Sequence, residues 1–548
     1  MNAQPRLRGV EVMLSVLRDE GITHIFGNPG STEMPLIDAL VDCEDISYVL
    51  ALQEATAVGM ADGYAQSRRR AAFVNLHTAG GLGNGMGAII NAKMTNTPLV
   101  ITAGQQDSRH LFQEPWLSGD LVSIARPSTK WAHEVRSPDE IGPALRRAFD
   151  IANAHPQGPV FLSIPMDLLS APVEQAWFPK SAPPSNAVGD VSGLAAHLQG
   201  ASRVAILASD LVAQAGAVGE LVRLVDETDF TVFGTPLLGC NPFPASHPAW
   251  AGTLPPDHGL IRQALEGFDT VLLLGDHALL AYPYRDTRPI APGVAFLQIA
   301  STASRLGFDH PATIALHGDL KPALGALRSA LAGRPDADGA RAQLEARQAR
   351  RASERTARLS RTAPQRPLHP TNAVQAILEA LPKKLPIVNE ASSTFDAFRD
   401  QWQSEEADRY YFVRGGGLGF GMPAAVGVSL AGNREPVLCL VGDGASMYSP
   451  QALWSAANCA APVTFVVVNN QKYDILMRVA KNLDFENAKA GRFVGMNLDA
   501  PAVDFAGLAK TFQLPYRRAD EPDDIRRCLA EALGSGVPSI LEIRITGL

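Results

Sequence analysis

The chain has 548 residues, more than one hydrophobic core usually organises, so we expect two to four domains. Its composition, 46% hydrophobic and 19% charged, is typical of a globular protein, and a formal net charge of −8 argues against a nucleic-acid surface. Five scattered cysteines form no CxxC pair, which disfavours disulfide frameworks and zinc sites. No signal peptide or bilayer-length apolar run is visible, so we expect a cytoplasmic protein without membrane or nucleic-acid partners.

Strand-like and helix-like runs alternate along almost the whole chain, which predicts an α/β fold with mostly parallel sheets. The first block begins with a helical pattern at residues 10–19 and closes with a proline-rich stretch at 178–184. Its strands are predicted at 24–26, 47–50, 72–74 and 160–164. We therefore predict a first domain over 1–184.

The rest of the chain divides into a second domain over 188–339, a linker over 340–369 and a third domain over 370–548. The linker is rich in arginine and has no hydrophobic period, so we interpret it as a connecting segment with some helix. Strands of the last two domains are predicted at 204–207, 271–274, 387–388, 437–441, 463–468 and 540–545.

Three polar positions follow strands of the first block. The loop Gly-Asn-Pro-Gly-Ser at 27–31 presents the Ser31 hydroxyl at a helix start. Glu54 follows the strand at 47–50, where an acid alone most often supplies only a helix N-terminal charge. His77 ends a strand before a glycine-rich turn, where an imidazole can exchange protons near neutral pH.

The strongest signal is Gly442-Asp443-Gly444 after one buried strand and Asn469-Asn470 after the next. Ligands of open parallel sheets bind beyond the carboxyl ends of strands, and both motifs lie there. Asp443 and Asn470 would offer two hard oxygen ligands, the kind that Mg²⁺ prefers. A lone GDG is usually only a turn, but strand–GDG–helix–strand–NN in this order, with the helix predicted at 450–459, indicates a metal and diphosphate site.

These motifs resemble those of thiamine-diphosphate-dependent enzymes, and within that family the chain is most similar to benzoylformate decarboxylases. The resemblance implies thiamine diphosphate and Mg²⁺ as cofactors and three α/β domains, named pyrimidine-binding, central and diphosphate-binding. The segments that carry it are GNPGS at 27–31, YVLALQEA at 48–55, ADGYAQ at 61–66, NLH at 75–77, TAGQQ at 102–106, PQGPV at 156–160, NE at 389–390, GGLGF at 416–420 and ALW at 452–454.

The resemblance also implies roles for individual residues. Ser31 would contact the substrate carboxylate, Glu54 would activate the cofactor by hydrogen-bonding its aminopyrimidine ring, and His77 would move protons. Leu418 would hold the cofactor bent, and the Gly416 carbonyl would accept from its 4′-amino group. The implied cofactor-binding residues are Asn28, Ser392, Ser393, Gly416, Leu418, Gly442, Gly444, Ala445, Ser446 and Tyr473. The implied metal ligands are Asp443, Asn470 and the backbone carbonyl of Lys472.

The chain departs from the family pattern at several positions. Tyr282 stands where benzoylformate decarboxylases carry a second active-site histidine, and the nearest histidine is His277. Arg414 and Phe395 are larger than the family residues, and Asp474-Ile475-Leu476 replaces a smaller pair. Arg414 would therefore narrow the acyl pocket, place a cation beside the substrate, or point to solvent.

We expect non-oxidative decarboxylation of a 2-oxo acid with an aromatic or bulky side chain, giving an aldehyde and CO₂. Two alternatives stay open: a carboligase or lyase of the acetolactate-synthase type, and a catalytically silent relative. The presence of Glu54, Asp443 and Asn470 disfavours the second. In such enzymes the activating carboxylate and the metal site meet across a subunit interface, so we expect a homodimer or homotetramer.

Overall fold

The computed structural model describes residues 7–174, 178–180, 188–228, 230–334, 340–406 and 409–547. The predicted boundaries at 184 and 339 lie outside these residues. Three six-stranded sheets make up the fold, and every strand pair in them is parallel. The expectation of three α/β domains with parallel sheets is confirmed. Among the residues described, no helix combines the length and the apolar character needed to cross a bilayer.

The first sheet has the strand order β2-β1-β3-β4-β6-β5. Its strands are β1 His24–Gly27, β2 Ser47–Leu50, β3 Ala72–His77, β4 Leu99–Gln105, β5 Ala132–Glu134 and β6 Pro159–Pro165. All residues of β4 and β6 are buried because helices cover both faces of the sheet. The helices are Gly9–Asp19, Met34–Leu40, Glu54–Arg68, Thr78–Met94, Leu121–Ala125, Ile141–Asn153 and Met166–Ser170.

The central sheet has the order β12-β11-β10-β7-β8-β9, the doubly wound arrangement of dinucleotide-binding sheets. Its strands are β7 Val204–Ala208, β8 Thr231–Gly234, β9 Trp250–Thr253, β10 Thr270–Leu274, β11 Ala295–Ala300 and β12 Ile314–His317. Its helices are Ser192–Gly200, Asp210–Gln214, Val218–Asp226, His258–Ala264 and Leu320–Ala330. The turn after β7 reads Ser209-Asp210-Leu211 and lacks the glycines that usually approach a dinucleotide diphosphate.

The third sheet repeats the order of the first, as β14-β13-β15-β16-β18-β17. Its strands are β13 Ile387–Glu390, β14 Tyr410–Phe412, β15 Val437–Gly442, β16 Val463–Asn469, β17 Tyr516–Ala519 and β18 Ser539–Arg544. Its helices are Pro370–Ala380, Phe395–Gln401, Gly421–Ala431, Asp443–Ser446, Gln451–Asn458, Asp474–Asn482, Glu486–Lys489, Phe505–Thr511 and Pro522–Gly534. The helix predicted at 450–459 is thus preceded by a separate one-turn helix that begins at Asp443.

The arginine-rich segment, predicted to contain some helix, is one continuous helix, Ala340–Thr362. Its side chains reach two domains: Arg351 donates to the Ala251 carbonyl, and Arg358 pairs with Asp400 at 3.3 Å. A helix that is polar all round is stable in such a bridging position, and the long arginine stems cover apolar surface.

Helix Glu54–Arg68 of the first domain packs directly on helix Gly421–Ala431 of the third. A Cβ at Gly427 would lie 1.8 Å from the Met60 carbonyl oxygen, and one at Gly63 would lie 2.1 Å from the Ala424 carbonyl oxygen. Glycine is therefore required at both positions, since only backbone fits between the helices. This contact places the two sheets of equal topology against each other, with a shared hydrophobic core.

Candidate functional site

The carboxyl ends of three neighbouring strands of the first sheet bring the predicted polar residues together. Ser31 follows β1, Glu54 follows β2, and His77 is the last residue of β3. The Glu54 carboxylate is half-buried and accepts from the side-chain amides of Asn28 at 3.4 Å and Asn84 at 3.1 Å. Ser31 is exposed at the first position of a 3₁₀ turn. This edge therefore carries a carboxylate, an imidazole and a hydroxyl.

Glu33, which the sequence analysis did not single out, orients His77. One Glu33 oxygen lies 2.9 Å from Nδ1 of His77 and also accepts from the Gly30 amide. The other accepts from the Gly104 amide at 2.9 Å and from the Thr32 hydroxyl at 2.7 Å. Because Glu33 is only 1% exposed and its bonds fix it, the His77 ring has one preferred orientation.

The pKa of His77 lies above its usual value. The hydrogen bond to Glu33 is the main cause, burial opposes it, and the charges of Glu33 and Glu54 add to the rise. His77 therefore keeps its proton to a higher pH than a free imidazole, which suits a group that delivers protons near neutral pH.

The matching edge of the third sheet gathers oxygen donors. Ser392 and Ser393 follow β13, Asp443 follows β15, and Asn470 follows β16, the strand beside β15. One oxygen of Asp443 accepts from the Gln471 amide at 2.6 Å, so this carboxylate touches the loop that holds Asn470. The Asn470 amide lies 3.5 Å from the Ser393 hydroxyl.

The loop after β16 turns a backbone carbonyl toward the same place. Gln471 and Tyr473 pair with the 496–498 segment, through Leu498 N to Gln471 O at 2.8 Å and Tyr473 N to Met496 O at 2.8 Å. Within one trans peptide the C=O points opposite to the N–H, and the Tyr473 amide faces Met496, so the Lys472 carbonyl points away from that segment. It points to the side where the Lys472 amide meets Asn470 Oδ1 at 3.2 Å.

This donor set suits a small divalent cation. A carboxylate, an amide oxygen and a carbonyl are the hard ligands that Mg²⁺ takes while phosphate and water fill its remaining positions. Burial raises the pKa of Asp443, and no ion pair joins it to a basic side chain in the part of the chain that the structure describes. A buried carboxylate in that position gains most from a cation.

The other predicted cofactor residues surround this edge. Gly442 ends β15, and Gly444, Ala445 and Ser446 form the one-turn helix that follows. The ring of Tyr473 covers Gly444, where a Cβ would come within 2.5 Å of it. Gly416 and Leu418 lie in the loop 413–420 between β14 and the next helix, and Gly416 adopts φ +74°, which favours glycine.

Tyr282 belongs to the central domain and not to the sheet that carries either edge. It lies on the loop after β10, is 67% exposed, and bonds through its amide to the Pro256 carbonyl. His277 on the same loop is bonded through Nδ1 to the carboxylate of Asp309.

The expectation that Arg414 points to solvent was wrong, while its narrowing of the acyl pocket and its place beside the substrate stay predictions. Its guanidinium neither faces solvent nor stands as a free cation; it pairs with Asp210 of the central domain at 2.8 Å, and the two side chains are 11% and 2% exposed. Phe395 packs on Phe412 with ring centroids 4.5 Å apart, and Arg399 covers its ring. Arg414 therefore serves the contact between the third and central domains, whereas Phe395 packs within the third domain.

The two edges stay separate within one chain. Among the described residues, no hydrogen bond or ion pair joins the Glu54–His77 group to the Asp443–Asn470 group. Helix Thr78–Met94, which begins beside His77, exposes Ile90 and Met94 along with three glycines whose Cβ positions are open.

Comparison with known proteins gives a consistent result. Three family profiles match: thiamine pyrophosphate enzyme, N-terminal TPP binding domain over 7–121, central domain over 191–327, and C-terminal TPP binding domain over 394–543. The chain is 33% identical to a benzoylformate decarboxylase from Pseudomonas aeruginosa, over 96% of this chain and 97% of that protein. It is 27% identical to a putative acetolactate synthase large subunit from Mycobacterium tuberculosis, over 99% and 100% of the two chains. It superimposes on the crystal structure of a benzoylformate decarboxylase from Polynucleobacter necessarius with a TM-score of 0.87 and 27% identity over 99% of both chains.

Proposed function

The chain belongs to the family of thiamine pyrophosphate enzymes, and on that premise we propose that it decarboxylates a 2-oxo acid with an aromatic or bulky side chain to an aldehyde and CO₂. The observation that carries the proposal is the meeting of Glu54, Ser31 and a Glu33-oriented His77 at one sheet edge. The substrate class is supported by the names of the relatives, which act on benzoylformate.

Bound thiamine diphosphate supplies the carbon that adds to the 2-oxo group and the electron sink for the electrons left when CO₂ departs. Glu54 holds a carboxylate where it can accept a hydrogen bond from the aminopyrimidine ring, in a pocket that Asn28 and Asn84 already order. Ser31 offers its exposed hydroxyl to the substrate carboxylate. His77, whose pKa is raised by its hydrogen bond to Glu33, delivers the proton that replaces CO₂.

The third domain holds the charged end of the cofactor. Asp443, Asn470 and the Lys472 carbonyl would bind Mg²⁺, and Gly442 and Gly444 let the backbone approach the diphosphate. Ala445, Ser446, Ser392, Ser393 and Tyr473 line the same edge. Gly416 and Leu418 would contact the aminopyrimidine and thiazolium rings from the neighbouring loop.

We also propose a homodimer, or a tetramer built from it, in which the first sheet of one subunit faces the third sheet of its partner. The separation of the two edges within one chain and the exposed glycine-rich face of helix Thr78–Met94 support this arrangement. Tyr282, exposed here, would reach the site in the same assembly.

The domain assignment 1–184, 188–339 and 370–548, with 340–369 as linker, stays a proposal, supported by the three profile matches that each fall inside one domain or nearly so. We place the protein in the cytoplasm because none of its five cysteines, all within the described residues, forms a disulfide.

A second candidate function is carboligation of the acetolactate-synthase type, favoured by the 27% identity to such a relative. The turn after β7 weighs against a flavin in the central domain, because Asp210 there is committed to Arg414. Product analysis separates the two functions.

The test supplies purified protein, thiamine diphosphate and Mg²⁺ with aryl and alkyl 2-oxo acids, singly and in pairs. We expect aryl 2-oxo acids to give CO₂ and aldehyde in equal amounts from one substrate. Turnover that requires two oxo acids and yields a 2-hydroxy ketone would establish the carboligase instead. No CO₂ release from any acid would refute both.

A further inference from the structure

The loop 413–420 joins β14 to helix Gly421–Ala431 and has no regular secondary structure, yet side chains from all three domains hold it. It contains three consecutive glycines, Gly415 to Gly417, and left-handed backbone at Gly416 and Gly419. A glycine-rich loop is intrinsically mobile, because glycine loses the most conformational freedom on ordering. Its order must therefore come from outside the loop.

Asn91 of the first domain holds the middle of this loop with a paired hydrogen bond. Its side-chain amide donates to the Gly417 carbonyl at 2.8 Å, and its side-chain oxygen accepts from the Gly417 amide at 3.1 Å. One asparagine thus satisfies both backbone groups of one residue, the two-point contact that a neighbouring β-strand would make.

The fit around Asn91 is close. Asn91 is 5% exposed, and a Cβ at Gly415 would lie 2.4 Å from its Oδ1, while one at Gly417 would lie 2.9 Å from the same atom. The two glycines on either side of Gly416 are therefore required by the Asn91 side chain. Gly416 itself has open space around its Cβ position.

The two ends of the loop are fixed independently of Asn91. At the start, Arg414 pairs with Asp210 of the central domain. At the end, the buried carboxylate of Glu390 accepts from the amides of Gly419, Phe420 and Gly421 at 2.8–3.0 Å. Of these three sets of polar contacts, the one at the middle comes from the first domain.

These contacts leave the Gly416 carbonyl and the Leu418 side chain, the two groups that the proposed function uses, available to the cofactor. The Gly416 carbonyl accepts no hydrogen bond within the described residues, and Leu418 is partly exposed beside a cavity of about 180 Å³ that Asn91 also lines. Gly416 and Leu418 flank Gly417, the residue to which Asn91 is hydrogen-bonded.

We propose that Asn91 is a positioning residue for the cofactor. By hydrogen-bonding both backbone groups of Gly417, it orients the Gly416 carbonyl and the Leu418 side chain toward the bound thiamine diphosphate. The inference rests on the proposed function for the roles of Gly416 and Leu418. It links the first domain of a chain to the cofactor loop of the third domain of that same chain.

The test compares Asn91→Ala with Asn241→Ala, a matched control. Asn241 is also 5% exposed and also donates to a backbone carbonyl, that of Phe243, but it lies in the central domain. Amide hydrogen exchange is measured on peptides covering 414–421 in the cofactor-free protein. C2 proton exchange of bound thiamine diphosphate and the kcat and KM for the oxo acid are then measured at saturating cofactor.

In Asn91→Ala we expect faster exchange across 414–421, slower C2 proton exchange, and a kcat reduced about 10- to 100-fold with KM nearly unchanged, since a displacement near 1 Å costs on this scale. Asn241→Ala should leave all of these at the parental level. Asn91→Asp keeps the size and the acceptor but turns a negative oxygen toward the Gly417 carbonyl, so it should reproduce the loss even if the alanine variant folds poorly.

If amide exchange across 414–421 is unchanged in Asn91→Ala, Asn91 does not order the loop. If amide exchange is faster but C2 proton exchange stays at the parental rate, Asn91 does not position the cofactor. Failure of the proposed function looks different: the parental protein would release no CO₂ from any 2-oxo acid. The amide and C2 exchange measurements would still report on Asn91 in that case, because amide exchange needs no cofactor and C2 exchange needs only cofactor binding.

Discussion

The first and third domains have the same strand order but carry different kinds of polar side chain at the ends of their strands. Both place their polar residues at the carboxyl ends of neighbouring parallel strands, and both bury a glutamate near the end of the first strand of the domain: Glu33 follows β1, and Glu390 is the last residue of β13. In the first domain Glu33 reaches an ionisable side chain, His77. In the third, the hydrogen bonds that the structure describes for Glu390 come from the backbone amides of residues 419–421.

The comparison shows that the shared strand order determines where polar residues come together, and that the identity of their side chains determines their chemistry. Under the proposed function, the first domain presents groups that exchange protons, Glu54 and His77. The third presents oxygen ligands for a cation, from Asp443, Asn470 and the Lys472 carbonyl. If this division is right, substitutions in the first domain impair turnover while the cofactor still binds, and substitutions in the third impair binding.

The largest effect is expected from Glu54→Gln, which keeps the size of the side chain and removes its charge. We expect activity to fall at least about a hundredfold, the usual contribution of a general acid or base, while thiamine diphosphate still binds. Steady-state rates and calorimetric cofactor affinity check this, with exposed Glu44→Gln as control. If Glu54→Gln no longer binds thiamine diphosphate, the proposed division of roles between the first and third domains is wrong.

Asp443→Ala tests the other half. Removing the charged ligand should weaken cofactor binding in the presence of Mg²⁺ by about a hundredfold with the fold intact, since even partners outside the metal's ligand set contribute 10- to 100-fold. Titration calorimetry and circular dichroism measure the two. Asp504→Ala, which removes an exposed helix cap in the same domain, should bind normally. Normal affinity in Asp443→Ala would refute the metal assignment.

A smaller effect is expected from Glu33→Gln. Glu33 raises the pKa of His77, so its neutral replacement lowers that pKa, and His77 loses its proton at a lower pH. The alkaline limb of the pH–rate profile should move to lower pH, with kcat near pH 7 reduced about tenfold. The control is Glu140→Gln, which breaks the 2.8 Å pair with His133 in the same domain. If the alkaline limb of the pH–rate profile does not move, Glu33 takes no part in proton delivery.

Sequence patterns located the groups that stand at the ends of buried strands. Glu54 and His77 follow apolar runs, and Asp443 and Asn470 lie between two such runs, so their meeting follows from parallel topology. Edge strands such as β5 and β17 are short and polar, because one side of each is exposed, and they gave no such signal.

The contacts that the sequence did not reveal are long-range pairs. Glu33 stands three residues after Gly30, a capping spacing, but its bonds to His77 and Gly104 span 44 and 71 residues. The Arg414–Asp210 pair spans 204 residues and joins two domains. No local pattern encodes such partners, since each side chain alone suits a solvated surface.

The glycine contact between helices Glu54–Arg68 and Gly421–Ala431 has a consequence for motion. Where backbone meets backbone, as at Gly427 and Met60, there are no side chains to exchange one packing for another, so this junction cannot serve as a hinge. The first and third sheets of a chain therefore move as one rigid body. Under the proposed function, we therefore expect entry of substrate and exit of product to be gated at the rim, by loops such as the one that carries Trp116, whose side chain is 86% exposed.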